Sequence, residues 1–233
     1  MGIGLSLYLV LVLVVVPGIS WRAAASGLIR SAPRPALYRT AMGTSWILAL
    51  LGAAVLWWDQ HLTPADVGLV GLPPGQGLLH TTGTLAALLA VAAIFGLLRR
   101  LLGRSESPEL LHLIPRTAQE KRDFFLLALT AGLTEELVFR GIAIPALSGL
   151  LAQLPQMAGG RGPWVAAILV SISFGLGHGY QEPLGMLRAA VLGLLLAVPF
   201  LVTGSLLPGM IAHAIIDLTL LASPGRRLAG APS

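Results

Sequence analysis

Apolar residues fill seven stretches of the chain, at about 4–20, 41–58, 79–98, 124–150, 163–180, 187–203 and 205–222. Each is close to the ~20 residues that carry a helix across a bilayer, so the pattern predicts an all-α, polytopic transmembrane bundle of about seven spans. The last two are separated only by a turn near Thr203-Gly204, so six and eight crossings stay open. Between the first two lie Arg22, Arg30, Arg34 and Arg39 with no acidic residue; 59–77 carries Asp59 and Asp66 and no Lys or Arg. Arg99, Arg100, Arg104, Arg116, Lys121 and Arg122 follow the third stretch, 153–162 holds a single Arg, and Arg226 and Arg227 lie near the C-terminus. Basic loops face the cytoplasm, which orients the chain with its N-terminus outside. The 115–123 segment reads as an interfacial helix leading into the fourth span.

Composition supports this reading. The 233 residues are 55% hydrophobic and 11% charged, with mean hydropathy +0.83, where soluble domains carry roughly 25% charged residues. The net charge of +5 is accounted for by cytoplasmic loops facing anionic lipid, so no nucleic-acid partner is called for. The chain has no Cys, which excludes disulfides, thiolate metal sites and a cysteine nucleophile. The first stretch lacks a basic n-region and runs into Pro17-Gly18 rather than a small-x-small cleavage site, so it is a retained helix and not a signal peptide. The myristoylation pattern formed by Met1-Gly2 and Ser6 is set aside because it opens a hydrophobic span. An Arg- and Leu-rich, Lys-poor chain suits a bacterial inner membrane.

The fourth stretch is the unusual one, because Thr134-Glu135-Glu136-Leu137-Val138-Phe139-Arg140-Gly141 places three ionisable groups inside it. Such groups are costly in hydrocarbon and mark function. Glu136 and Arg140 are four apart on one helix face and can pair, whereas Glu135 is turned about 100° away toward another neighbour. His178 ends the fifth stretch among Gly175, Gly177 and Gly179, which admit a close approach of another helix or a substrate backbone. His213 and Asp217 are four apart in the last. Glu135, Glu136, Arg140, His178, His213 and Asp217 thus come from three helices, as a site inside a bundle does. Two chemistries use the set. Glu135 can act as general base on a water held by one His, the other His and Asp217 serving an oxyanion. Alternatively Glu135, His178 and His213 bind a divalent metal such as zinc. Asp59, His61, His80 and His112 read as loop or interface residues without a role.

The ordered motifs Glu-Glu-x-x-x-Arg, Phe174-x-x-x-His178 and His213-x-x-x-Asp217 resemble the CPBP family, the CAAX proteases and bacteriocin-processing (abortive-infection-type) intramembrane proteases. The resemblance covers roughly 120–222. It implies an intramembrane endopeptidase with a cavity open to the cytoplasm, Glu135 activating water beside His178, Glu136 and Arg140 as a structural pair, and His213 with Asp217 lining the oxyanion region. The best-studied eukaryotic branch is similar to a metal-independent glutamate enzyme and carries Asn where this chain has Asp217. It also implies a membrane protein or peptide substrate, with or without a prenyl group. The chain divides on this reading into N-terminal scaffold helices and a basic loop (1–118), a catalytic core (119–222) and a short cytoplasmic tail (223–233). Two other functions compete: a non-proteolytic immunity or scaffold protein of the same fold, and a small transporter. Against the transporter, the polar residues have no counterpart in the first half and hence no repeat symmetry.

Overall fold

The computed structural model describes residues 2–60, 63–157 and 159–222. His61, Arg226, Arg227 and the 223–233 tail lie outside the described residues.

Each apolar stretch forms a helix, and no strand occurs among the described residues. Helix α1 runs Ile3–Ala25 and α2 is the short Leu28–Ser31. Next come α3 (Arg34–Gln60), α4 (Pro74–Leu101) and the six-residue α5 (Pro108–Leu113). Helix α6 is continuous over 118–151, followed by α7 (Arg161–Gly177), α8 (Glu182–Thr203) and α9 (Leu207–Ala222). Four segments are long and apolar enough to cross a membrane unaided: Ile3–Ala25, Arg34–Asp59, Pro74–Leu101 and Gly179–Thr203. Arg161–Gly177 and Leu207–Leu221 are shorter apolar helices. The protein is an integral membrane bundle. Ile47, Leu50, Ile94 and Val202 point outward with more than half their surface free, as residues facing acyl chains do. Exposed Trp57 and Trp58 close α3 at the level of an interfacial aromatic belt.

The first stretch differs from a simple span near its proline. The helix passes through Pro17 and Gly18 and on to Ala25, and a π-helical turn at Leu11–Val15 precedes the proline. Proline removes an i→i−4 hydrogen bond and crowds the carbonyl four residues back; a widened i→i+5 turn absorbs both effects. The device recurs in α6, where a π segment at Glu136–Ala143 precedes Pro145. No separate interfacial helix covers 115–123. Thr117 caps α6 through a reciprocal box with Glu120, so the polar lead-in is the first turn of the spanning helix itself. The N–H groups of Arg116 and Thr117 both donate to Glu120 Oε2, at 2.7 and 3.0 Å.

Helix α6 is central: it packs on α3 and α9, and its C-terminal part packs on α7. The core joins both halves of the chain, with Leu5, Tyr8 and Val12 of α1 clustering with Ala49 of α3 and Val138 and Ile142 of α6. Close crossings rest on small residues. A Cβ on Gly132 would lie 2.8 Å from the Met210 carbonyl and 2.9 Å from the Ala214 methyl. Gly132→Ala therefore destabilises the α6–α9 crossing, at a cost of about 1–3 kcal/mol of overpacking against under ~1 gained in helix propensity. Gly83, with nothing within 4 Å of its would-be Cβ, is the control. Thermal unfolding in detergent is expected to fall for Gly132→Ala and not for Gly83→Ala.

Candidate active site

The π turn in α6 sets the site. A π-helix winds more slowly than an α-helix, so four residues close nearly a full turn and Arg140 stacks almost directly on Glu136. Arg140 Nη1 donates to Glu136 Oε1 at 3.0 Å, with both side chains 1% exposed. Arg140 Nη2 donates to the Gly193 carbonyl at 2.7 Å, and the guanidinium lies 4.9 Å from the Phe174 ring centroid. Gly193 is small for a reason here, since a Cβ would sit 3.2 Å from Arg140 Nη2.

Glu135, one residue earlier, turns elsewhere: its side chain is 27% exposed and lines a cavity of about 300 Å³. His178, Tyr180, Gln181, His213 and Asp217 line the same cavity, whose apolar wall includes Leu113, Ile114 and Phe124. His213 is the junction of the polar set. Its Nδ1 donates to Glu136 Oε1 at 2.7 Å, while its Nε2 stands 3.8 Å from Glu135 Oε2 and 3.7 Å from Asp217 Oδ2. The His213–Asp217 relation expected from their spacing exists, but Glu136 is the closer partner, so Glu136 fixes the imidazole as well as pairing with Arg140. His178 caps α7, and its Nδ1 meets the Phe174 carbonyl at 2.8 Å. A carbonyl only accepts, so Nδ1 carries the proton there and neutral His178 offers its Nε2 lone pair. Phe174 ties these groups together, with ring centroids 4.6 Å from His178 and 6.2 Å from His213.

Glu135, His178 and His213 do not form a ligand set: among the described residues no group of three or more His, Asp or Glu side chains is disposed to hold a metal ion.

Other groups at the site were hidden in the sequence. A second cavity, of about 140 Å³, also reaches Glu135 and His178, walled by Val12, Val16, Thr44 and Leu48 of α1 and α3. The first helices therefore wall the site as well as support it. Arg99, grouped above with the loop charges, is buried: it donates to the Ser105 carbonyl at 2.7 Å and stands 3.2 Å from Glu106 Oε2. Arg188 donates to Glu106 Oε1 and to Gln181 Oε1, both at 3.0 Å. Neither Arg188 nor Glu106 carries a motif that would have singled it out; an Arg inside an apolar stretch was the available signal. His112 is a latch, its Nε2 3.0 Å from the Ala32 carbonyl and its own carbonyl accepting from Arg34 Nε. Asp59 accepts from the Leu5 N–H at 3.1 Å and so closes the first turn of α1.

No curated protein and no solved structure matches the chain. The model of the Rce1-like family, described as type II CAAX prenyl endopeptidase Rce1-like, matches residues 120–219, the segment that holds all the polar side chains of the predicted set. Over that segment, less than half of the chain, the sequence is similar to the Rce1-like family.

Proposed function

We propose that the protein is an intramembrane endopeptidase in which Glu135 activates a water for attack on a peptide carbonyl near the cytoplasmic membrane face. The observation that carries the reading is the division between adjacent carboxylates: Glu136 is buried and paired, while Glu135 lines a cavity shared with His178, His213 and Asp217. In the step, Glu135 takes one proton from the water, whose other hydrogen points to His178 Nε2. The hydroxide adds to the carbonyl, and Glu135 returns the proton to the departing amine, giving a carboxylic acid and a free amine. Asp217 and His213, the latter held by Glu136, line the same cavity as Glu135. No step passes through a metal. The substrate is a membrane-anchored protein or peptide of the prenylated class that the family name implies, and the setting is a bacterial inner membrane.

The test is cleavage of a farnesyl-cysteine peptide by purified protein in detergent, followed by mass spectrometry. The wild type is expected to release the residues beyond the modified cysteine. His178→Ala is expected to lose ~10²-fold or more in rate with unchanged thermal unfolding. A chelator is expected to leave the rate unchanged; loss of activity restored by added zinc would overturn the metal-free mechanism. Equal cleavage by wild type and His178→Ala would overturn the site assignment.

A further inference from the structure

The polar side chains lining the main cavity are Tyr38, Glu135, His178, Tyr180, Gln181, His213 and Asp217, and their donors can be counted. Tyr38 gives its hydroxyl proton to the Leu113 carbonyl at 2.7 Å. His178 gives Nδ1–H to the Phe174 carbonyl, and His213 gives Nδ1–H to Glu136. A proton on His213 Nε2 would stand between the carboxylates of Glu135 and Asp217, both under 4 Å away. Ionised carboxylates of Glu135 and Asp217 only accept. What remains, beside the second N–H of the Gln181 amide, is the Tyr180 phenol.

The orientation of that phenol is set by a chain of groups whose roles chemistry leaves no freedom to exchange. Arginine only donates, so the atom of Gln181 that meets Arg188 Nη2 at 3.0 Å is the amide oxygen. The amide nitrogen then faces the Tyr180 hydroxyl at 3.3 Å and donates to it. An oxygen that accepts from Gln181 has its own hydrogen directed elsewhere, and Tyr180 lies in the cavity beside His178, with ring centroids 5.7 Å apart. Glu106 anchors the chain through Arg188, and Ser107 Oγ fixes the turn itself by donating to the Tyr180 carbonyl at 2.7 Å. The same turn ends at Glu182, which holds φ of 61°, a left-handed conformation that a non-glycine residue keeps only where its surroundings enforce it.

We infer that Tyr180 is a further catalytic residue, whose phenolic O–H donates to the oxyanion formed at the scissile carbonyl, and that Gln181 is the positioning residue that aims it. This rests on the hydrolytic reading above. Tyr180→Phe removes one oxygen and keeps the ring. Removing one oxyanion donor costs about 10²–10³-fold in kcat, so that loss is expected with KM and thermal unfolding unchanged. Gln181→Leu is expected to lower kcat by less, and to add nothing in the Tyr180→Phe background. The probe is the farnesyl-cysteine peptide, with Glu135→Gln assayed alongside. Wild-type kcat in Tyr180→Phe, with Glu135→Gln inactive, overturns the role of Tyr180 and leaves the hydrolytic reading standing. An active Glu135→Gln overturns the hydrolytic reading itself. A Gln181→Leu loss that multiplies fully with that of Tyr180→Phe overturns the positioning link.

Discussion

Glu135→Gln is expected to reduce peptide hydrolysis by roughly 10⁴-fold, the upper range for loss of a general base, in a protein that still inserts and unfolds at the wild-type temperature. The change keeps shape and removes only the ability to take a proton. The ionic contact of Glu135 is a long one, 3.8 Å to His213 Nε2, and about a quarter of its side chain is exposed. That long, part-exposed contact contributes little to stability. Glu136→Gln contrasts with it, because that carboxylate sits under Arg140 and His213 at 3.0 and 2.7 Å and is buried. There both stability and activity fall. Thermal unfolding and peptide cleavage, measured on the two variants in one detergent preparation, separate the roles; equal destabilisation by both would end the distinction between the carboxylates.

The distinction was legible in the sequence because it depends on helical phase, which adjacent residues cannot share. Spacing also brought out His213 and Asp217, and the apolar stretches gave the helices. What spacing could not give is partnership across the bundle. The 2.7 Å contact of His213 with Glu136 is made by residues 77 apart in the chain, and it competes successfully with the neighbour four residues away on the same helix. Arg99 looked like a topological signal because its charge sits at the end of an apolar run; the loop after it folds back and buries it with Glu106. The walls supplied by Val12 and Thr44 were invisible for a related reason. Residues that line a cavity by shape alone carry no polar signature. The π turns were in principle readable, since each is followed by a proline that the helix must accommodate.

Arg140→Ala is expected to be the most destabilising single change in the bundle. It removes the guanidinium paired with Glu136 and leaves that carboxylate buried, with Oε2 already lacking a hydrogen-bond partner. It also strips the Gly193 carbonyl of its donor and Phe174 of the guanidinium on its face. Breaking a buried pair from one side costs about 3–5 kcal/mol, and the readout is loss of folded protein from the membrane fraction together with a lower unfolding temperature. Replacing both partners tests the argument further, because an apolar pair of similar volume is often neutral or better than a buried ion pair. Glu136→Leu with Arg140→Leu is thus expected to recover most of the stability while staying inactive, since His213 Nδ1 loses the acceptor that aims its other nitrogen at Glu135 and Asp217. Normal stability with no activity in Arg140→Ala alone would show instead that the guanidinium serves the reaction and that the pair is not what holds the helices together.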